Sequence, residues 1–216
     1  MSDERDDLAP ETWMAEPHGG PFGAVMPPIY QTSTYIQDAL GQPHNGYEYA
    51  RTRNPTREAL ERALAALEGG SHGFAFASGL AALDTVLKLL KAGDHVVAGA
   101  NLYGGSHRLM EQVFRPFGVA FDFIEMADAS ALEGALRPET RLVYVETPTN
   151  PMMQLTDLQS VADLCQARGL LLVVDNTFAT PVLQRPLEFG DLAAQGSFRE
   201  IGQHFGVSFT SRLDTE

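Results

Sequence analysis

Leu170–Pro181 reads LLLVVDNTFATP, and the reading of this stretch decides the fold. Leu170–Val174 are five consecutive apolar residues, two of them β-branched. That composition belongs to a strand buried on both faces of a parallel sheet. The run stops abruptly at Asp175, Asn176 and Thr177. A carboxylate at the carboxyl end of a buried strand stands where open α/β sheets hold their ligands. Taken by itself, the same stretch is also an ordinary strand followed by a polar turn.

Outward from this strand the chain alternates. Asn54-Pro55-Thr56 starts a helix, with Asn54 as N-cap and Pro55 at the first helical position; Leu60, Leu64 and Leu67 line one face, and Gly69-Gly70 closes it. Strands are predicted at Phe74–Ala77, His95–Ala98, Ala120–Ile124, Leu142–Glu146 and Leu170–Val174. Helices are predicted between them at Leu80–Leu90, Ser106–Phe114, Ala129–Leu136 and Leu158–Arg168. Strands alternating with helices make βαβ units, hence a mostly parallel sheet with helices on both faces. After Gly190 no sustained strand pattern follows, so the sheet is expected to end with an unpaired edge on its last strand.

With 44% hydrophobic and 20% charged residues, the chain can bury a proper core. It carries 28 acidic against 15 basic residues, a net charge of −13, which argues against nucleic acid and anionic membranes as partners. No apolar run approaches the roughly 18 residues of a membrane span. The lone Cys165, in an apolar helical context, reads as a core thiol in a reducing compartment. The six histidines show no ligand spacing, so no metal site is proposed, and no GxGxxG fingerprint supports a dinucleotide. A cytoplasmic globular protein is expected.

Six segments occur in one order: PIYQTSTY at Pro28–Tyr35, GYEYARTRNPTR at Gly46–Arg57, FASGLAA at Phe76–Ala82, LYGG at Leu102–Gly105, ETPTNP at Glu146–Pro151, and VVDNTFATP at Val173–Pro181. In identity, order and spacing they resemble the pyridoxal-phosphate (PLP) enzymes of cysteine and methionine metabolism, the trans-sulfuration family of cystathionine γ-synthase-like and γ-lyase-like enzymes. The resemblance covers roughly residues 24–190 and implies a fold-type I PLP-enzyme large domain, an α/β fold, here truncated. It implies an organisation of an N-terminal arm (1–23), an inter-subunit segment (24–55), an incomplete PLP-binding large domain (56–190) and a divergent tail (191–216).

The same resemblance assigns roles. Asp175 keeps the ring nitrogen of pyridoxal 5′-phosphate protonated, so that the ring accepts electrons. Ser78, Gly79 and Leu80 offer backbone donors to the phosphate at a helix start. Tyr103 stacks on the ring. Asn150 bonds the phenolic oxygen, with Glu146 in support, and Thr177 belongs to the cofactor set. Tyr49 and Arg51 reach the phosphate of the neighbouring subunit, which implies a homo-oligomer, dimer or tetramer. One part is missing: the lysine that holds the cofactor as a Schiff base, expected about 25 residues after Asp175. Counting on reaches Arg199 or Glu200, and the only lysines are Lys88 and Lys91.

The resulting expectation is a fragment or degenerate member of the family, inactive alone, with cofactor binding weak or lost. The parent activity would be γ-replacement or γ-elimination on homoserine esters, cystathionine or related sulfur amino acids. The alternative is a non-catalytic subunit that completes the site of an intact homologue.

Overall fold

A computed structural model describes residues 22–24, 26–189, 196–197 and 208–211. The arm before residue 22, most of the tail, and both Arg199 and Glu200 lie outside the described residues. The chain divides into two compact units, Met1–Leu67 and Glu68–Glu216.

In the first unit β1 (Gln37–Ala39) and β2 (Gln42–Pro43) form a small antiparallel ribbon, and an isolated bridge joins Thr34 to Tyr49. Helix α1 spans Pro55–Glu68. Asn54 caps it as its sequence predicts: Oδ1 accepts from the N–H groups of Thr56 and Arg57 at 2.9 and 3.3 Å. One turn into the helix, the Arg57 guanidinium donates to the carbonyls of Ala50, Arg51 and Thr52. That grip fixes the loop carrying Tyr49 and Arg51, whose guanidinium lies 4.9 Å above the Tyr49 ring. Met26, Ile29, Ile36 and Leu40 are each at least 73% exposed.

The second unit holds a five-stranded sheet. Its members are β4 (His95–Gly99), β5 (Ala120–Ile124), β6 (Thr140–Glu146), β7 (Leu171–Asp175) and β8 (Gly196–Ser197), in the order β5-β4-β6-β7-β8. All four pairings are parallel. Alternation along the central strands builds two cores. Val96, Ala98, Leu142, Tyr144 and Val173 face α2 (Gly79–Leu87) and α3 (Gly104–Leu109), the latter extended by a π turn over Met110–Phe114. Val97, Val143, Val145, Leu172 and Val174 face α4 (Ala129–Ala135) and α5 (Leu158–Arg168). Cys165 is fully buried in this second layer, and burial pushes its thiol up to about 12. At the end of α5, Gly169 adopts φ +63° and turns the chain into β7, a left-handed cap that glycine reaches without a steric penalty.

Two expectations need correcting. The segment expected as strand Phe74–Ala77 forms β3 (His72–Ala75), which lies outside the parallel sheet and pairs antiparallel with β9 (Ser208–Ser211). Its residues alternate exposed and half-buried, the pattern of a strand covered on one side and unlike the buried runs of β4, β6 and β7. The tail, expected to lack strands, supplies both β8 and β9. β8 therefore pairs with β7 at Val173 and Val174, where an unpaired edge was expected. These pairings are made by backbone groups, which need no apolar side-chain pattern.

The topology also places a crevice. β4 leads through α3 to β5 on one side, and β6 leads through α5 to β7 on the other. Adjacent strands whose connections diverge leave a gap beyond their carboxyl ends, and ligands of open α/β sheets bind there.

Candidate functional site

A cavity of about 220 Å³ opens beyond the carboxyl ends of β6 and β7, against the start of α2. Ser78, Gly79, Leu80, Tyr103, Asn150, Asp175 and Thr177 all line it, as does Glu146. Every expected site residue of the second unit is thus brought into one place. Tyr49 and Arg51 belong to the first unit.

The α2 start is ready for an anion. Ser78 Oγ accepts from Ala81 N–H at 3.1 Å, capping the third helical residue. Helix geometry leaves the N–H groups of Gly79 and Leu80 as donors without a partner along the helix. Opposite them, Asp175 ends β7. Its Oδ1 accepts from the Thr177 backbone N–H at 3.1 Å and the Thr177 hydroxyl at 2.6 Å, while Oδ2 accepts from the Tyr144 phenol at 3.1 Å. Three donors hold this carboxylate in one orientation.

Glu146 is the register partner of Asp175 across β6 and β7, so two carboxylates end neighbouring strands. Burial pushes the Glu146 carboxyl above its usual range, with the Asp175 charge adding to the shift, against the backbone N–H groups of Tyr103 and Asn150 that favour the anion. Burial likewise holds the Tyr144 phenol well above its ordinary value, and the Asp175 charge acts in the same direction. No arginine, lysine or histidine lines the cavity among the described residues.

Tyr103, half exposed, begins α3. Its ring position depends on Gly105: a Cβ there would stand 2.4 Å from the Tyr103 ring and 3.1 Å from Leu80. The ring therefore rests over a bare backbone patch, leaving a flat aromatic surface at the cavity. Lys88 follows the last residue of α2 and pairs with Asp84. α2 is nine residues long, about 14 Å, with Ser78 at one end and Lys88 at the other. Lys88 and Lys91 line a different cavity, beside Phe117 and Val119.

Four lining residues escaped the sequence reading: Ser106, Tyr144, Pro148 and Phe178. A usable signal existed for Tyr144. It lies two residues before Glu146 on the same strand, so the two side chains project to the same face.

In this α/β chain a helix start with free-ended N–H groups, an oriented carboxylate at a strand end and a cavity at the strand divergence meet in one place. Residues 14–197 match the family of Cys/Met metabolism PLP-dependent enzymes, and the chain belongs to it. It is similar to a probable cystathionine gamma-synthase of Herpetosiphon aurantiacus, 49% identical over 186 residues that make up 86% of this chain and 58% of that protein. It is similar to a cystathionine gamma-lyase of Bacillus subtilis, 46% identical over 196 residues, 88% of this chain and 52% of the relative. The crystal structure of cystathionine gamma-lyase from Lactobacillus plantarum complexed with L-serine superposes with a TM-score of 0.86 at 40% identity, covering 95% of this chain and 55% of that one. The chain spans about half the length of the curated relatives it matches. Membership implies pyridoxal phosphate as the cofactor. Among the described residues no helix is long and apolar enough to cross a membrane.

Proposed function

We propose that this chain is the cofactor-cradling half of a trans-sulfuration enzyme acting on cystathionine, homoserine esters or related sulfur amino acids. One observation carries the reading. The oriented Asp175 carboxylate and the uncapped N–H groups of Gly79 and Leu80 line the same small cavity, with the Tyr103 ring between neighbouring elements. The residues present fit pyridoxal phosphate, which supplies an electron sink for charge developing on a substrate carbon.

Each residue has a task in that reading. Gly79 and Leu80, with the capping Ser78, receive the phosphate at the α2 start. Asp175 holds a proton on the ring nitrogen, and Thr177 and Tyr144 keep the carboxylate aimed by donating to it. Tyr103 stacks on the ring face, and Asn150 bonds the phenolic oxygen. Tyr49 and Arg51 serve the phosphate of a neighbouring subunit in a homo-oligomer. Their loop, gripped by Arg57, presents a planar guanidinium suited to bidentate phosphate contact. The exposed apolar side chains of Met26, Ile29, Ile36 and Leu40 in the same unit favour such an assembly.

With Lys88 at the far end of α2, the cradle lacks a covalent anchor, and the chain by itself binds the cofactor weakly and does not turn over substrate. Titration with pyridoxine 5′-phosphate, which cannot form an imine, tests this. Wild type is expected to bind no better than about micromolar, roughly −8 kcal/mol, and Asp175→Ala at least tenfold more weakly. Equal binding by both removes Asp175 from the site. Turnover of cystathionine together with a borohydride-fixed pyridoxyl group on Lys88 or Lys91 would overturn the reading.

A further inference from the structure

Glu146 makes two bonds that no side chain of the cavity duplicates. Oε2 accepts from the backbone N–H of Tyr103 at 2.7 Å, and Oε1 accepts from the backbone N–H of Asn150 at 3.1 Å. The first donor begins the loop-to-helix turn after β4, and the second sits in the loop after β6. A single carboxylate, 8% exposed, therefore spans the divergence between the two strands. It also forms part of the wall between this cavity and a second one of about 220 Å³ on its other side.

We infer that Glu146 is the positioning residue of the site: through two backbone N–H groups it sets where Tyr103 and Asn150 stand, without itself touching the ligand. The purpose of that positioning rests on the proposed cofactor reading, whereas the tie between the loops rests on the two bonds alone. Only an ionised carboxylate serves both loops. When one oxygen is protonated it becomes a donor, and either Tyr103 or Asn150 faces it with an N–H that has lost its acceptor. The groups facing Glu146 favour that loss. Asp175 stands beside it on β7, Tyr144 precedes it on β6, Tyr103 approaches from the loop after β4, and Glu125 at the end of β5 lines the second cavity. All are acidic or neutral. Burial and Asp175 both push the carboxyl upward, so the tie is released at a pH above that of an exposed glutamate.

A second link joins the same loops: Asn101 Nδ2 donates to Thr149 Oγ1 and Gln154 Oε1, each at 3.2 Å. It carries no charge and supplies the comparison. The experiment is amide hydrogen exchange of the full chain by mass spectrometry from pH 5 to 8, corrected for intrinsic rates. Wild type, Glu146→Gln and Asn101→Ala are compared, with pyridoxine 5′-phosphate titrations in parallel. Wild type is expected to show a step toward faster exchange in segments 102–106 and 149–152 on acidification, with segment 171–174 unchanged. Glu146→Gln, which keeps the shape and one acceptor, is expected to exchange about tenfold faster in at least one of the two segments at pH 8, to lose the step, and to bind the probe about tenfold more weakly. Asn101→Ala is expected to exchange faster but keep the step. A step that persists in Glu146→Gln, or wild-type exchange in that variant, overturns the assignment. The wild-type acid series needs no variant to fold, and a flat series also overturns it. If wild type binds no probe at all, the cofactor reading fails while the exchange data still decide the role of Glu146.

Discussion

At the amino ends of β4 and β6 buried polar groups meet complementary partners, whereas at the carboxyl ends of β6 and β7 two carboxylates stand side by side. His95, 1% exposed, has Nδ1 2.8 Å from Thr140 Oγ1 and Nε2 3.3 Å from Asp122. Thr140 Oγ1 also accepts from the Arg137 N–H at 2.8 Å. Arg137 in turn pairs with Asp122, and Arg141 approaches Asp94. Charges at this end are balanced within the unit. At the other end the carboxylates rely on hydrogen-bond donors, and no cationic side chain lines the cavity among the described residues. One end pairs its charges within the unit, and the other turns two carboxylates toward a cavity.

Tyr144 is the residue where that division can be broken most forcefully, because its ring belongs to the core and its hydroxyl to the site. Tyr144→Ala is expected to cost about 3–5 kcal/mol in urea unfolding. Tyr144→Phe is expected to cost only about 1 kcal/mol while still weakening pyridoxine 5′-phosphate binding. If both variants lose stability and binding in the same proportion, core and site are not separable at this residue.

Next in size is His95→Leu, which removes the His95–Thr140 bond at the amino end. A loss of about 1–3 kcal/mol is expected from the buried hydrogen bond that is removed, with ligand affinity unchanged. Weakened binding in this variant would show that the two ends are coupled.

The smallest effects are in pH, and their signs differ between the ends. Burial, assisted by Arg137, holds the His95 imidazole below 6.5. As pH falls from 6.5 the unfolded chain protonates first, so stability is lost until the lower folded value is passed. Glu146 is raised above 4.5, so the folded chain protonates first on acidification, and stability is regained between the folded value and 4.5. Urea midpoints of His95→Leu are therefore expected to fall less than wild type between pH 7 and 5. Those of Glu146→Gln are expected to miss the recovery at the acid end. Parallel curves for all three proteins would erase the contrast.

The residues that sequence made legible are those whose neighbours announce them. Asp175 follows an unbroken apolar run, and Ser78-Gly79 is a cap before a helix. Tyr144 was passed over because an aromatic in a strand reads as core, which it also is; its hydroxyl, reaching Asp175, carries the second role. The backbone bonds of Glu146 to Tyr103 and Asn150 depend on where two loops converge, which no local pattern encodes. β3 was placed in the wrong sheet because its partner, β9, comes from a distant part of the chain and pairs through the backbone. Nor could the sequence reveal that Arg57 grips the Arg51 loop, since a guanidinium can reach many acceptors.

The His95–Thr140 bond has a consequence for how the strands are aligned. β4 and β6 are apolar on both faces, so a slip of one residue would still bury apolar side chains in either layer. The usual inside–outside code for alignment is therefore weak in these strands. A bulge supplies what that code lacks: His95 pairs with Thr140 but Val96 pairs with Leu142, leaving Arg141 as the extra residue, its side chain about half in solvent. The buried imidazole and hydroxyl act as a peg and slot that only one alignment satisfies. That alignment brings Ala98 level with Tyr144, and hence the chain leading to Tyr103 within reach of Glu146. A misfit of one position would carry the Tyr103 N–H about 3.3 Å along the strand, beyond any hydrogen bond. The ruler for the cavity is set at the opposite end of the strands.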